Sequence, residues 1–402
     1  MGKILFVINT MGNGGAERAL IELLKHMEQE RHKVFLYVLT GQGELAGEIP
    51  NNVVMLNKKY RAVSVLDERG RQRLSGTVIR ALFSRGVFLH RARYLAVQML
   101  RMIGRGRIRK DKLFWKVLSD GGERIREEFD LAVAFLEGGS AYYVAAHVKA
   151  GKKVAFVHTD YSYAGYDRSL DEDCYLKFDH IFAASESIRG SFLGNYPECA
   201  GKTTIFHNLL NQKSILERSL QPGGFSDGYE GVRILTVARL SAAKAPDVAI
   251  DAMKRLKAAG REVRWYALGE GELRKKLERR IHSLGLDEDF VLLGAADNPF
   301  PYYAQCDLYV HPTHSEARCI AVREAQVLGC AIIVSDYEGS GELVEDGVDG
   351  RICRLDPKAL TEEIEELLDH PERAAAYGRA AQRRHQTDNQ KEIKKLLEFM
   401  DE

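Results

Sequence analysis

No C-x-x-C pair occurs among the six cysteines at 174, 199, 306, 319, 330 and 353, and several of them sit in apolar runs. That scatter argues against a zinc site or a disulfide frame and reads as reduced core thiols of a cytosolic protein. No run of about 18 apolar residues is present, so a transmembrane helix is not expected. Ile4 to Ile8 is the one apolar run near the N-terminus, and a Gly-rich loop follows it at once, so it is expected to be a strand and not a signal peptide. Net charge is nearly absent as well: the formal value of +1 gives the whole chain no argument for a nucleic-acid or acidic partner. The glycines at 12, 14 and 15 do not form a G-x-G-x-x-G fingerprint, and no acidic residue closes the second strand after Leu39, so no dinucleotide site is expected there.

What is present is an α/β pattern. A chain of 402 residues with 45% apolar residues and 36 glycines exceeds one hydrophobic core and predicts two domains. KILFVI, a Gly-rich turn, a helix through Leu20, Leu23 and Met27, and KVFLYVL open a parallel βαβ sheet. Strand and helix alternate again from LAVAFLE (131–137) through KKVAFVHT (152–159) and IFAAS (181–185) to TTIFHN (203–208), and Glu137, His158 and Asn208 fall at strand ends. The Gly-rich stretch QPGGFSDGYEG, 221–231, has linker composition. It places one domain over 1–220 and another over 221–375.

Residues 69–116 stand apart, with fourteen Lys or Arg against one acid, Asp111. Apolar residues spaced by three and four predict one or two amphipathic helices, basic on one side. Three readings remain open here: a solvated helical insert, contact with an anionic membrane at ~1 kcal/mol per basic residue, and nucleic acid, for which no recognisable motif is present.

The stretch 307–336, DLYVHPTHSEARCIAVREAQVLGCAIIVSD, reads as strand, loop, helix, strand. Glu316 then lies in the loop at a strand's carboxyl end, where open α/β sheets bind ligands. Glu324 lies about two helical turns on, roughly 12 Å away at ~1.5 Å per residue. Such a gap suits an extended ligand that is polar at both ends, such as a nucleotide diphosphate sugar, whose diphosphate would meet the free N–H groups of Cys319, Ile320 and Ala321.

Glu316 and Glu324 form the Glu-x7-Glu pattern, and over nearly its whole length the chain resembles the GT4 family of retaining glycosyltransferases. The resemblance implies the GT-B fold, two Rossmann-like domains facing a central cleft, with residues 375–402 packing back on the first domain. It implies that Arg239 and Lys244, in VARLSAAKAPD, meet the charge developing on the diphosphate leaving group. Glu316 would contact donor-sugar hydroxyls and Glu324 ribose hydroxyls. Gly269 and Gly271, flanking Glu270, resemble the turn beside the nucleotide base. Gly14 and Gly15 of GGAER would approach the donor phosphate or acceptor, and His158, after KVAFV, resembles the histidine that faces the donor sugar.

One departure is local. Where the family usually reads E-G-F-G-L this chain reads Glu316-Ala317-Arg318-Cys319-Ile320, so two glycines are missing and Arg318 adds a cation expected to contact donor phosphate or sugar. In this it looks closest to bacterial capsule-type members. The expected activity is metal-independent, cofactor-free transfer of a hexose from a UDP- or GDP-sugar to a glycan acceptor, lipid-linked, in cell-surface polysaccharide biosynthesis. Its expected place is the cytoplasm, peripheral on the inner membrane face. A GT-B sugar-nucleotide epimerase and a nucleotide-sugar-binding protein with a decayed site are the alternatives.

Overall fold

A computed structural model describes residues 2–27, 32–64, 68–104, 110–316, 318–384 and 388–401. Ala317 and residues 105–109 of the basic insert lie outside these. The chain divides into two compact units, 1–210 with 388–402, and 211–387.

Unit 1 is built on β1 (Lys3–Ile8), β2 (Lys33–Val38), β3 (Val54–Met55), β4 (Glu128–Ala134), β5 (Lys149–Val157), β6 (His180–Ala183) and β7 (Thr203–Ile205). They pair in parallel in the order β3-β2-β1-β4-β5-β6-β7. Ile4 to Ile8 are all fully buried, because helices cover both faces of such a sheet and the strand needs no polar alternation.

Unit 2 carries β8 (Val232–Val237), β9 (Val263–Leu268), β10 (Phe290–Gly294), β11 (Leu308–His311), β12 (Ala331–Ser335) and β13 (Arg351–Cys353). Their order is β10-β9-β8-β11-β12-β13, again with every pair parallel. Each sheet therefore reverses its winding once, between β1 and β4 in unit 1 and between β8 and β11 in unit 2. At such a switch point the loops leaving the strands' carboxyl ends diverge and open a crevice.

The unit boundary falls at Leu210/Asn211, ten residues before the expected 220/221. The reason is packing: the helix Gln212–Ser219 lies against the helices Phe300–Gln305 and Ile320–Val327. The Gly-rich stretch expected to be a linker is also fastened to unit 2. Phe225 packs its ring 4.3 Å from that of Tyr266, and Asp227 accepts hydrogen bonds from Arg264 at 2.8 Å and Tyr266 at 2.5 Å. The return to unit 1 starts at 388, not 375, because the helix Pro371–Arg384 packs on β12 and on the helix Pro357–Asp369. From there the helix Asn389–Asp401 brings Phe399 within 6.1 Å of Phe182, and its Glu392 accepts from the His207 N–H at 2.9 Å.

Unit 1 contains a buried polar hub. Asp171 has no solvent exposure and accepts hydrogen bonds from Tyr142 at 2.7 Å, Tyr196 at 3.1 Å and Tyr161. Burial pushes its carboxyl up to about 6, and the three hydroxyls only partly oppose that. A folded-state pKa above the unfolded one means that the neutral form stabilises: the contribution is complete below the unfolded pKa of ~3.9 and is lost as pH rises through about 6. Asp171→Ala should leave buried hydroxyls without an acceptor, at about 1–3 kcal/mol for such a group. The expected result is a melting temperature lower by roughly 5–10 °C in thermal unfolding followed by circular dichroism. Asp171→Asn should instead flatten the pH dependence between about 4 and 6.

Candidate active site

The site in unit 2 assembles at the switch point. After β8 the chain passes Ala238, Arg239 and Leu240 and makes a single 3-10 turn, Ala242–Lys244. Ala245 then adopts left-handed geometry (φ 40°, ψ 46°), which for a non-glycine residue costs of order 1 kcal/mol, and Pro246 begins the next helix. After β11 the loop 312–316 is tied to this turn. His314 N donates to Ala243 O at 2.9 Å, Thr313 Oγ1 donates to Ala243 O at 2.9 Å, and Thr313 N donates to Ser335 Oγ at the end of β12 at 2.8 Å. These bonds bring the Lys244 ammonium onto the Glu316 carboxylate, with side-chain exposures of only 14% and 16%.

Burial alone would raise the Glu316 carboxyl, but Lys244 and His311 reverse that and hold it far below the usual carboxylate range. His311, the last residue of β11, sits 3.1 Å from Glu316 Oε1 through Nε2 and 3.2 Å from the Tyr309 hydroxyl through Nδ1. Burial lowers the imidazole pKa against the pull of Glu316. The neutral tautomer that satisfies both contacts keeps its proton on Nε2 for Glu316 and accepts the Tyr309 O–H at Nδ1. Glu316 is thus fixed from two sides.

The helix Ile320–Val327 starts at Cys319 with no side-chain cap, so its first-turn N–H groups retain their capacity for an anion. This start modifies the expected geometry: only residues 320–327 are helical, so Glu316 and Glu324 are joined by a loop and one helical turn, not two full turns. Glu324 accepts a hydrogen bond from Tyr303 OH at 3.0 Å, and the Tyr303 and Tyr309 rings pack with centroids 5.2 Å apart. Tyr303→Phe removes one hydrogen bond, ~1 kcal/mol. With Glu324 in the ribose-binding role expected from the sequence, nucleoside diphosphate binding followed by calorimetry should weaken roughly fivefold with little change in kcat; an unchanged affinity contradicts a positioning role.

Other expected residues are distributed as follows. Arg239 is exposed and, with Lys244, Leu240 and Pro312, lines a small pocket at the end of β8. Gly269 and Gly271 have a steric reason to be glycine: a Cβ would come 2.0 Å from Ala238 O and 2.3 Å from Leu240 O, so the turn after β9 lies flush on the Arg239 loop. Arg318 is half-buried beside the helix start. His311, Glu316 and Cys319 present donor atoms within 4.8 Å of one another, a set of metal-binding type. The Lys244 ammonium lies on Glu316, the one carboxylate of this set, and burial raises the Cys319 thiol well above its ordinary value.

Gly14, Gly15 and His158 belong to unit 1. Gly15 is exposed, and a Cβ there would meet nothing within 4 Å, while a Cβ on Gly14 would meet only the flexible Glu17 side chain. Neither glycine is demanded by packing. His158 follows β5, its ring 5.8 Å from Phe156 and nearly parallel to it, and its backbone N–H donates to Glu137 Oε2 at 3.0 Å. Burial lowers its pKa, and its buried Nε2 has no hydrogen-bond partner among the described residues.

His311, Tyr309 and Tyr303 escaped the sequence reading. Residues 309 and 311 share one face of β11 by strand periodicity, and two buried polar rings on one strand face were the available signal.

Two doubly wound parallel sheets, one carrying a cation–carboxylate pair at its switch point, define the GT-B class of fold. The solved structure of Anabaena Alr3699/HepE in complex with UDP and glucose has the same fold, with a TM-score of 0.68 at 18% identity over all of both chains. Residues 229–384 match the family model described as glycosyl transferases group 1. The chain is similar to the N-acetylgalactosamine-N,N'-diacetylbacillosaminyl-diphospho-undecaprenol 4-alpha-N-acetylgalactosaminyltransferase of Campylobacter jejuni, 27% identical over 52% of this chain and 56% of that protein. It thus spans just over half of that relative's length. A second Campylobacter jejuni relative, the GalNAc-alpha-(1->4)-GalNAc-alpha-(1->3)-diNAcBac-PP-undecaprenol alpha-1,4-N-acetyl-D-galactosaminyltransferase, is 24% identical over 92% of this chain and 89% of its own. These likenesses support a glycosyltransferase of the GT4 type, with the family match itself confined to residues 229–384.

Proposed function

We propose that the chain transfers a hexose or N-acetylhexosamine from a nucleotide diphosphate sugar, with UDP the first nucleotide to test, to a lipid-linked glycan, retaining the anomeric configuration. The observation that carries this reading is the buried Lys244–Glu316 pair beside the uncapped start of the helix Ile320–Val327. The donor C1–O bond breaks with its electrons going to the diphosphate. Lys244, Arg239 and the N–H groups of Cys319, Ile320 and Ala321 stabilise that charge without reorganising, and Arg318 adds a further cation. Glu316 binds sugar hydroxyls and favours positive character at C1. The acceptor hydroxyl forms the new bond from the face the diphosphate leaves, and its proton passes to the leaving phosphate.

Glu324 holds the ribose hydroxyls, and the turn Gly269–Gly271 supports the base side. No metal or cofactor takes part in this scheme. In unit 1, His158 and the loop of Gly14 and Gly15 are proposed to contact ligand, a role supported for His158 by its buried Nε2, which has no hydrogen-bond partner among the described residues. The lipid-linked acceptor and the glycan-building role are supported by the undecaprenyl-linked substrates named for the two Campylobacter relatives.

The test is incubation with UDP- and GDP-sugars, with and without lipid-linked glycan extract, in the presence and absence of EDTA. The expected outcome is acceptor-dependent, EDTA-resistant release of nucleoside diphosphate, and a product with the donor's anomeric configuration. An altered sugar released without acceptor would indicate an epimerase, and binding without turnover a decayed site. Loss of activity in EDTA would overturn the metal-free scheme.

A further inference from the structure

Fourteen large apolar side chains are exposed among the described residues, and eight of them lie between Ile79 and Phe114, a stretch of 36 residues. The helix Val87–Gly104 explains the clustering. It carries two apolar stripes on opposite sides. Val87, Tyr94, Gln98 and Met102 point inward and are buried. Leu89, Ala92, Ala96, Leu100 and Ile103, spaced by three and four, share the opposite face and are all exposed. Leu89 is 80% and Leu100 69% exposed.

A helix packed on a folded unit normally turns a polar face to water. Here the outward face carries apolar residues as well as the basic ones expected on one side. The preceding helix, Glu68–Phe83, extends the same surface: Phe83 is exposed, and its ring stacks 6.4 Å from that of the exposed Phe88. Cations are exposed on the same two helices. Arg80, Arg93 and Arg101 are exposed, and the helix Val87–Gly104 contains no acidic residue.

We propose that this face docks on an anionic bilayer, with Phe83, Phe88, Leu89, Leu100 and Ile103 entering the boundary between headgroups and acyl chains and the arginines lying among the headgroups. Charge complementarity selects the occupant. Two copies meeting through the face about a two-fold axis would set the same arginine rows against one another, with no acid on the helix to pair them. An anionic leaflet gains instead, by roughly fivefold in affinity for each basic residue near its surface, and apolar insertion adds to that. The inference goes beyond the transfer reaction and stands on unit 1 alone. It also suits a chain whose relatives have acceptors linked to undecaprenol.

Flotation of the full chain with vesicles of phosphatidylcholine alone, or mixed with phosphatidylglycerol, tests the proposal. The expected result is recovery with the mixed vesicles that falls as salt is raised. Leu89→Glu/Leu100→Glu should reduce the bound fraction about tenfold or more, and Arg93→Glu/Arg101→Glu should reduce it and weaken the salt dependence. These side chains are exposed, so unchanged melting curves and unchanged UDP binding should show the fold and the unit 2 site intact. Equal recovery with both vesicle types, or recovery of the Leu variant equal to wild type, overturns the proposal. So does a dimer in sedimentation that Leu89→Glu/Leu100→Glu dissociates, because a second copy would then cover the face. Vesicle binding without sugar transfer would leave this proposal standing and sink the functional one.

Discussion

Lys244→Ala is expected to lower turnover about 100-fold or more, the usual cost of removing a preorganised donor to developing negative charge in a water-poor site. The structure adds a second consequence. Glu316 is held ionised in spite of its burial mainly by Lys244, so the variant leaves a buried carboxylate with only His311 for support. In wild type the depressed carboxyl contributes stability that is present above its unfolded pKa of ~4.3 and is lost only as pH falls toward the folded value. In Lys244→Ala that value rises, so part of the carboxylate should be protonated nearer neutrality and residual activity should fall off on the acid side at a higher pH than in wild type. Lys244→Ala/Glu316→Gln separates the two effects. It should remove the added pH dependence and leave the loss in turnover, as kcat profiles across pH will show. A single variant with wild-type kcat would remove Lys244 from the mechanism.

Glu324→Ala is the second large effect. A carboxylate bound to two ribose hydroxyls through charge-assisted bonds is worth about 1.5–3 kcal/mol, which corresponds to roughly 10- to 100-fold in donor affinity. The loss should appear in the UDP dissociation constant and in KM, with kcat much less affected, because the ribose hydroxyls carry no developing charge. The milder Tyr303→Phe effect should be largely absent in a Glu324→Ala background, since the two side chains meet at one hydrogen bond. A Glu324→Ala enzyme that binds UDP normally but turns over slowly would mean that the acid acts in the chemical step and not in binding.

The sheets were legible in the sequence for a simple reason. A parallel strand covered on both faces needs an unbroken apolar run, and KILFVI, KVFLYVL and AIIVSD supply it, so the doubly wound halves follow from local pattern alone. Glu316 was legible because a strand end and a helix start bracket it, and Glu324 because it follows on that helix. The support around them was not. Tyr303 meets Glu324 across 21 residues, and Lys244 meets Glu316 across 72, through a loop held by backbone bonds to Ala243. Such pairings depend on which strands flank a switch point, and no local periodicity encodes that. The unit boundary slipped for a related reason: 221–231 has the composition of a linker, yet Phe225 and Asp227 are drawn onto β9 by Tyr266 and Arg264. In the helix Val87–Gly104 the apolar spacing of three and four was visible, but only packing tells which residues face the unit's interior.

The most direct measurement is a crystal structure of the chain with UDP or an unreactive UDP-sugar bound. The account predicts the diphosphate on the first-turn amides of the helix Ile320–Val327 within reach of Lys244, and the ribose hydroxyls on Glu324. A nucleotide bound with Lys244 and Glu324 both beyond hydrogen-bonding distance would contradict it.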